Sequence, residues 1–218
     1  MTKDEKIDRK KNMIYRFHPW HGLTLGDKSP EIVNSYIEIV PTDTVKYELD
    51  KTTGILKVDR PQKYSSLCPS LYGLLPQTYA GELVANYCAQ KTGRKDLKGD
   101  GDPLDICVFT ENVIVSGDII VRAIPIGGFR LLDGDEVDDK IIAVMYDDLT
   151  YGDIKDISEC PKKLIERLKH YFLNYKDAPD CLSSEVQITH TYGREEAQEI
   201  IRLSSIDYQN LIATQGDY

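Results

Sequence analysis

Short apolar segments rich in β-branched residues fill the first two thirds of this chain, and long helical periods occur only near its end. That order restricts the fold more than any other feature. ICVF (106–109), VIV (113–115), DIIVRAIPI (118–126) and KIIAVMYD (140–147) read as strands separated by turns. Upstream, SYIEIV alternates polar and apolar positions around Glu38. VKYELD sets Val45, Tyr47 and Leu49 on one face, with Lys46 and Glu48 on the other. KTTG turns the chain and ILKVDR returns it, ending at Arg60, so a hairpin is predicted.

The segment 161–177, PKKLIERLKHYFLNYKD, opens on Pro161, a favoured first helical position. Leu164, Leu168, Tyr171, Phe172 and Tyr175 follow at helical spacing. A second helix is predicted over 194–214, striped by Ala197, Ile200, Ile201, Tyr208, Leu211 and Ile212, with a short strand at 185–189 between the two. Residues 61–99 are dense in proline and glycine and are predicted as a long irregular excursion, 74–99 included. Strands followed by helices give an α+β class: a closed or partly closed β-barrel with helices packed outside. A chain of 218 residues suits one domain, 12–218, behind a tail at 1–11.

Composition serves to exclude. Lys and Arg total 27 against 36 Asp and Glu, a formal charge of −9. That repels nucleic acid unless a strong basic patch is present, so no nucleic-acid partner is expected. No apolar run is long enough to span a bilayer or form a signal peptide, so a cytoplasmic protein without membrane contact is expected. The five cysteines are scattered with no CxxC pair, which indicates neither a zinc site nor a disulfide framework. His18 and His21 are three apart, but Pro19 and Gly22 break the helix that would pair them. No phosphate-binding glycine loop, dinucleotide motif or nucleophile elbow is visible.

The chemistry-bearing stretch is DLKGDGDPLDICV (96–108), with Asp100, Asp102 and Asp105 inside six residues. A polar turn is the plain reading, since Asp and Gly form turns. A calcium loop fails, because Asp105 takes the sixth place where such a loop needs glycine. A divalent-metal cradle is the third reading: hard cations want carboxylate oxygens, and the ICV strand anchors the turn. A second acidic run, Asp133-Gly-Asp-Glu-Val-Asp138-Asp-Lys140, lies between two strands. Lys46, Arg60, Lys140, Tyr175 and Lys176 sit at strand or helix positions. Two acidic turns with a basic and phenolic set suit a compact polyanion held partly by metals. A calcium-binding module and an OB-type single-strand binder are the competing classes; the failed loop and the negative charge weigh against them.

DGDPLD resembles the signature of the family I soluble inorganic pyrophosphatases, Asp-x-Asp-Pro-hydrophobic-Asp. IEI (37–39), KYELD (46–50), VDR (58–60), LYG (71–73), DGDEVDDK (133–140) and HYFLNYKD (170–177) match in the family's order, so the likeness covers roughly 35–205. HPWHGLTL (18–25) and LPQTY (75–79) make it most similar to the chlamydial-type bacterial members. The resemblance implies a distorted five-stranded OB-type barrel with flanking helices, hydrolysing pyrophosphate with roughly three to four Mg²⁺ ions per site, Mn²⁺ or others being substitutes. It implies that Asp100, Asp105 and Asp138 hold the tightest metal, with Asp105 also touching a second. Asp133, Asp138 and Glu48 would serve metals arriving with substrate, with Glu38 outside them. It makes Asp102 the proton acceptor, and Lys46, Arg60, Tyr72, Lys140, Tyr175 and Lys176 the phosphate-binding set. It also implies a homo-oligomer, with hexamer, trimer and dimer all open. Cys68 stands where many members have tyrosine, Gly134 where many have glutamate, and Asn174 where some hexamers use histidine.

Overall fold

The structure, a computed structural model, describes residues 18–63, 65–176 and 186–215. The predicted tail at 1–11, Asp177 and Cys181 lie outside them. In chain order the elements are β1 (Val33–Ile39), β2 (Val45–Leu49), β3 (Leu56–Pro61), β4 (Leu71–Leu74), α1 (Glu82–Thr92), β5 (Lys98–Gly99), β6 (Asp105–Phe109) and β7 (Ile119–Asp133). There follow β8 (Glu136–Val137), β9 (Lys140–Met145), a 3₁₀ turn (Ile157–Glu159), α2 (Lys162–Asn174), β10 (Val186–Gly193) and α3 (Arg194–Gln215).

β7 closes the barrel. Its first residues pair antiparallel with β1, Val33 opposite Ala123 and Ile37 opposite Ile119. Its middle pairs with β9, Ala123 opposite Met145 and Phe129 opposite Lys140. β9 lies parallel to β6, β6 antiparallel to β4, and β4 antiparallel to β1. The ring β1–β4–β6–β9–β7 is thus the predicted five-stranded barrel. β2 and β3 form a separate two-stranded hairpin.

Beyond their first residues, Asp105 and Lys140, β6 and β9 are apolar throughout because both faces are buried. Ile106, Val108, Ile141 and Ala143 share one cluster with Ala197, Ile200 and Ile201 of α3. Cys107, Phe109, Ile142 and Val144 share another with Leu168, Tyr171 and Phe172 of α2. The period of two therefore sorts side chains between two helices rather than between core and water. Each fully buried Leu or Phe contributes about 1.5–3 kcal/mol relative to exposure.

Four expectations need correction. The segment 61–99 is not irregular, since it contains β4 and the eleven-residue helix α1. α1 has Gly81 at its N-cap and no local capping side chain. Its cap comes from α3: Asp207 accepts from the amides of Gly81, Leu83 and Val84 at 3.2, 3.1 and 3.1 Å. VIV (113–115) is not a strand; Val113 and Val115 are 83% and 74% exposed, with no edge to pair. The strand predicted to stop at 126 runs to Asp133 because β9 and β10 keep pairing with it beyond the bulge at Pro125–Gly127. Pro161 is the N-cap residue of α2, one place before the predicted first turn.

Candidate active site

One chamber of about 290 Å³ opens where the hairpin, the barrel and the C-terminal end of α2 meet. All thirteen residues singled out from the sequence line it: Glu38, Lys46, Glu48, Arg60, Tyr72, Asp100, Asp102, Asp105, Asp133, Asp138, Lys140, Tyr175 and Lys176. Tyr47, Lys51 and Glu136 line it too and were not foreseen.

The hairpin supplies the basic edge. Lys46 and Arg60 are paired across it, and both reach Asp59, Lys46 Nζ at 3.1 Å. Arg60 also lies over the Tyr175 ring, 5.9 Å from its centre. Beneath the hairpin, buried Glu38 accepts from the Leu49 amide at 2.6 Å. Burial pushes its carboxyl up to about 8, only partly offset by that amide, while nearby Asp105 raises it further.

The DGDPLD turn is pinned by the connection between β4 and α1. Ala80 N–H donates to the Asp102 carbonyl at 2.8 Å and Leu75 N–H to the Leu104 carbonyl at 2.9 Å. Leu104 N–H donates to Thr78 Oγ1 at 2.9 Å. Asp100 Oδ1 accepts from the Asp102 amide at 3.0 Å, so the first aspartate orders the second. Burial, reinforced by Asp138, pushes Asp100 up to about 8. Asp102 stands nearer the mouth, its side chain 39% exposed, and pairs with Lys51.

The acidic hairpin at the end of β7 supplies the opposite wall. Lys140 is 2% exposed and contacts both Asp105 and Asp138, the latter at 2.5 Å. Burial alone would lower its pKa, but Asp105 and Asp138 outweigh that and hold the ammonium well above its usual value. Tyr72 donates to Asp105 Oδ2 at 2.6 Å. Lys176, just past α2, reaches Asp133 at 2.5 Å.

Eight carboxylates line the chamber against five cationic side chains. Alone, that excess repels a polyanion. Oxygen donors on a rigid strand–turn base, with Asp100 and Glu38 short of counter-charge, fit hard divalent cations. Among the described residues no three such side chains are already gathered as a closed cage. Lys140 instead stands between Asp105 and Asp138.

A family model for inorganic pyrophosphatase matches residues 35–209. The chain belongs to the inorganic pyrophosphatase family. It is 56% identical over 198 residues to an inorganic pyrophosphatase of Chlamydia trachomatis, covering 89% of this chain and 95% of that one. It is 36% identical over 187 residues to a soluble inorganic pyrophosphatase of Oryza sativa subsp. japonica, with 86% and 77% covered. The crystal structure of the Thermus thermophilus inorganic pyrophosphatase superposes with a TM-score of 0.71 at 29% identity, over 86% of this chain and 97% of that one.

The departures from this family's pattern lie outside the chamber lining. Cys68 is buried, its sulfur 3.8 Å from Ser70 Oγ. Gly134 has φ +64°, a left-handed turn conformation that a glutamate adopts only with strain. Asn174 donates to the His170 carbonyl at 2.7 Å, back along α2. Lys51 was missed because a lysine following ELD in a hairpin turn looks like any solvated cation. Among the described residues no helix is long and apolar enough to cross a membrane.

Proposed function

We propose that this chamber carries out the family's reaction, hydrolysis of inorganic pyrophosphate to two phosphates, with Mg²⁺ and with Asp102 taking the proton of the attacking water. The observation that carries the assignment is the chamber's charge: eight carboxylates and five cations, a set suited to metals and polyanion together. Asp100, Asp105 and Asp138 would hold the tightest metal, Asp105 sharing a second. Asp133, Asp138 and Glu48 would hold those that come with substrate, and Glu38 would support them from beneath. Bound divalent cations supply neutralisation of the pyrophosphate oxygens and a lowered pKa for water.

The chain's own groups do the rest. Asp102 is held by its amide contact to Asp100 and paired with Lys51 at the mouth, from where it would accept a proton as water oxygen bonds to phosphorus. The bridging P–O bond breaks and the second phosphate departs. Arg60 and Lys176 stabilise the charge on that leaving group, while Lys46, Tyr72, Lys140 and Tyr175 hold the remaining oxygens. Lys140 and Lys176 pair with Asp105, Asp138 and Asp133, so divalent cations taken up by those carboxylates would release both ammonium groups for phosphate oxygens.

The same reading carries a cytoplasmic setting and a homo-oligomer. The thiols of Cys68, Cys88, Cys107 and Cys160 are free and buried, which supports a reducing compartment. Phosphate release from pyrophosphate, measured with Mg²⁺, with Mn²⁺ and with chelator, tests the proposal. Turnover with metal and its loss on chelation are expected; no turnover by purified, metal-loaded protein would sink it.

A further inference from the structure

Asp139 separates Asp138 from Lys140, yet its side chain turns away from the chamber into the protein. There it meets Arg130, a guanidinium 1% exposed on β7. Arg130 Nη2 lies 3.6 Å from Asp139 Oδ2 and 2.9 Å from Glu196 Oε1 on α3. Its guanidinium also sits between two rings, 5.5 Å from the centre of Tyr87 on α1 and 5.3 Å from that of Tyr192 on β10. Tyr192 donates its hydroxyl to Asp139 Oδ2 at 3.2 Å. The ring has room only because residue 128 is glycine: a Cβ there would lie 2.4 Å from the Tyr192 oxygen. Four elements thus converge behind the segment that carries Asp138 and Lys140 into the chamber.

A buried ion pair is weak support for stability, since its desolvation cost rivals its attraction. Its direct consequence here is geometric. Asp138 and Lys140 flank Asp139 in sequence, and the Asp138 amide is tied to the Leu131 carbonyl at 3.0 Å, next to Arg130. Fixing Asp139 therefore fixes the directions in which its two neighbours enter the chamber. We propose that the buried Arg130–Asp139–Tyr192 cluster is a positioning device that aims Asp138 at the metals and Lys140 at phosphate. This rests on the roles given above to Asp138 and Lys140.

The test compares Asp139→Asn, Tyr192→Phe and the paired apolar replacement Arg130→Met with Asp139→Leu against the unaltered protein. Mn²⁺ affinity without substrate is measured by calorimetry, KM and kcat for the magnesium–pyrophosphate substrate by phosphate release, and folding by thermal melting. Positioning predicts Mn²⁺ binding weakened about tenfold in Asp139→Asn, as for other outer partners of metal ligands. It predicts that the paired replacement melts near the original temperature yet still binds Mn²⁺ weakly. If Asp139→Asn does not fold, Tyr192→Phe decides, because it loses only one hydroxyl; about threefold weaker Mn²⁺ binding is expected. Folded variants that bind Mn²⁺ as tightly as the original overturn the inference and leave the proposed function standing. An unaltered protein that neither binds Mn²⁺ nor releases phosphate takes both down.

Discussion

Two kinds of charge pair occur in this protein, one in the chamber and one sealed behind Asp138 and Lys140. On the chamber side, Lys51 pairs with Asp102 while their side chains stay 42% and 39% exposed. On the far side, Arg130 and Asp139 pair at 1% exposure each. Both are a basic group facing a carboxylate, and burial separates their uses. A pair in contact with water can exchange its partner for substrate or metal at small cost. A sealed pair that does not line the chamber cannot, because either partner left alone is a buried bare charge; Lys140 is as buried, but its partners Asp105 and Asp138 line the chamber where metal and substrate would enter. The chamber cluster is therefore suited to chemistry and the sealed cluster to holding shape.

The largest expected effect lies in the chamber. Asp102→Asn keeps the shape of the side chain and removes the proposed base. Its loss should slow hydrolysis about 10²–10⁴-fold, roughly 3–5 kcal/mol of barrier. Melting should be unchanged within roughly 2 °C, since an exposed pair contributes little. Steady-state phosphate release and thermal melting check both halves. A rate within a few-fold of the original would place the proton acceptor elsewhere.

The sealed cluster should give the opposite pattern. Arg130→Met removes the cation and strands Asp139 in the interior, so about 3–5 kcal/mol of stability should be lost. Urea unfolding of the metal-free protein measures this. A loss below about 1 kcal/mol would mean that Asp139 finds water or another partner, and the contrast between the clusters would fail.

The two clusters also differed in how readable they were. DGDPLD and DGDEVDDK are contiguous runs, and a hairpin carrying Lys46, Glu48 and Arg60 follows from local alternation, so the chamber wall could be assembled from short-range signals. Helix α1 could not, since its capping carboxylate is Asp207, more than a hundred residues downstream. The β7 strand was cut short at Gly127 because only its partners, β9 and β10, show that pairing continues. VIV had the composition of a strand but no neighbour to pair with. Asp139 resembles one more acidic residue in an acidic loop, and only the three-dimensional placement of Arg130 and Tyr192 shows that it faces inward.

A smaller effect should appear in the pH dependence of the metal-free protein. Burial, with help from Asp138, raises Asp100 to about 8, and burial raises Glu38 to about 8. The folded state then binds more protons than the unfolded chain up to that pH, so stability falls as pH rises. His21, lowered to about 4 by burial and His18, acts in the other direction, but only below the ordinary histidine range. Between pH 6.5 and 8 the carboxylates act unopposed, and the loss should be on the order of 2 kcal/mol, roughly 5 °C. Saturating Mg²⁺ should flatten the slope, because a bound cation replaces the proton. Melting curves across that range, with and without metal, test the sign. A metal-free protein that gains stability toward pH 8 would mean the chamber carboxylates are already well compensated.

The smallest expected effect is the most direct probe of the contrast. Lys51→Ala deletes the chamber's most exposed cation, which is paired with Asp102. The hairpin turn keeps its other tether, because His18 Nε2 donates to the backbone carbonyl of Lys51 at 3.0 Å and truncation leaves that contact intact. An exposed pair contributes about 0–1 kcal/mol, so metal-free stability should change by less than about 0.5 kcal/mol. Hydrolysis should stay within a few-fold of the original, as Asp102 keeps its amide contact to Asp100. Urea unfolding and phosphate release on the same preparation decide it. A stability loss approaching that of Arg130→Met would show that the Lys51–Asp102 pair is structural. Exposure would then no longer distinguish the exchangeable charges of the chamber from the fixed ones behind it.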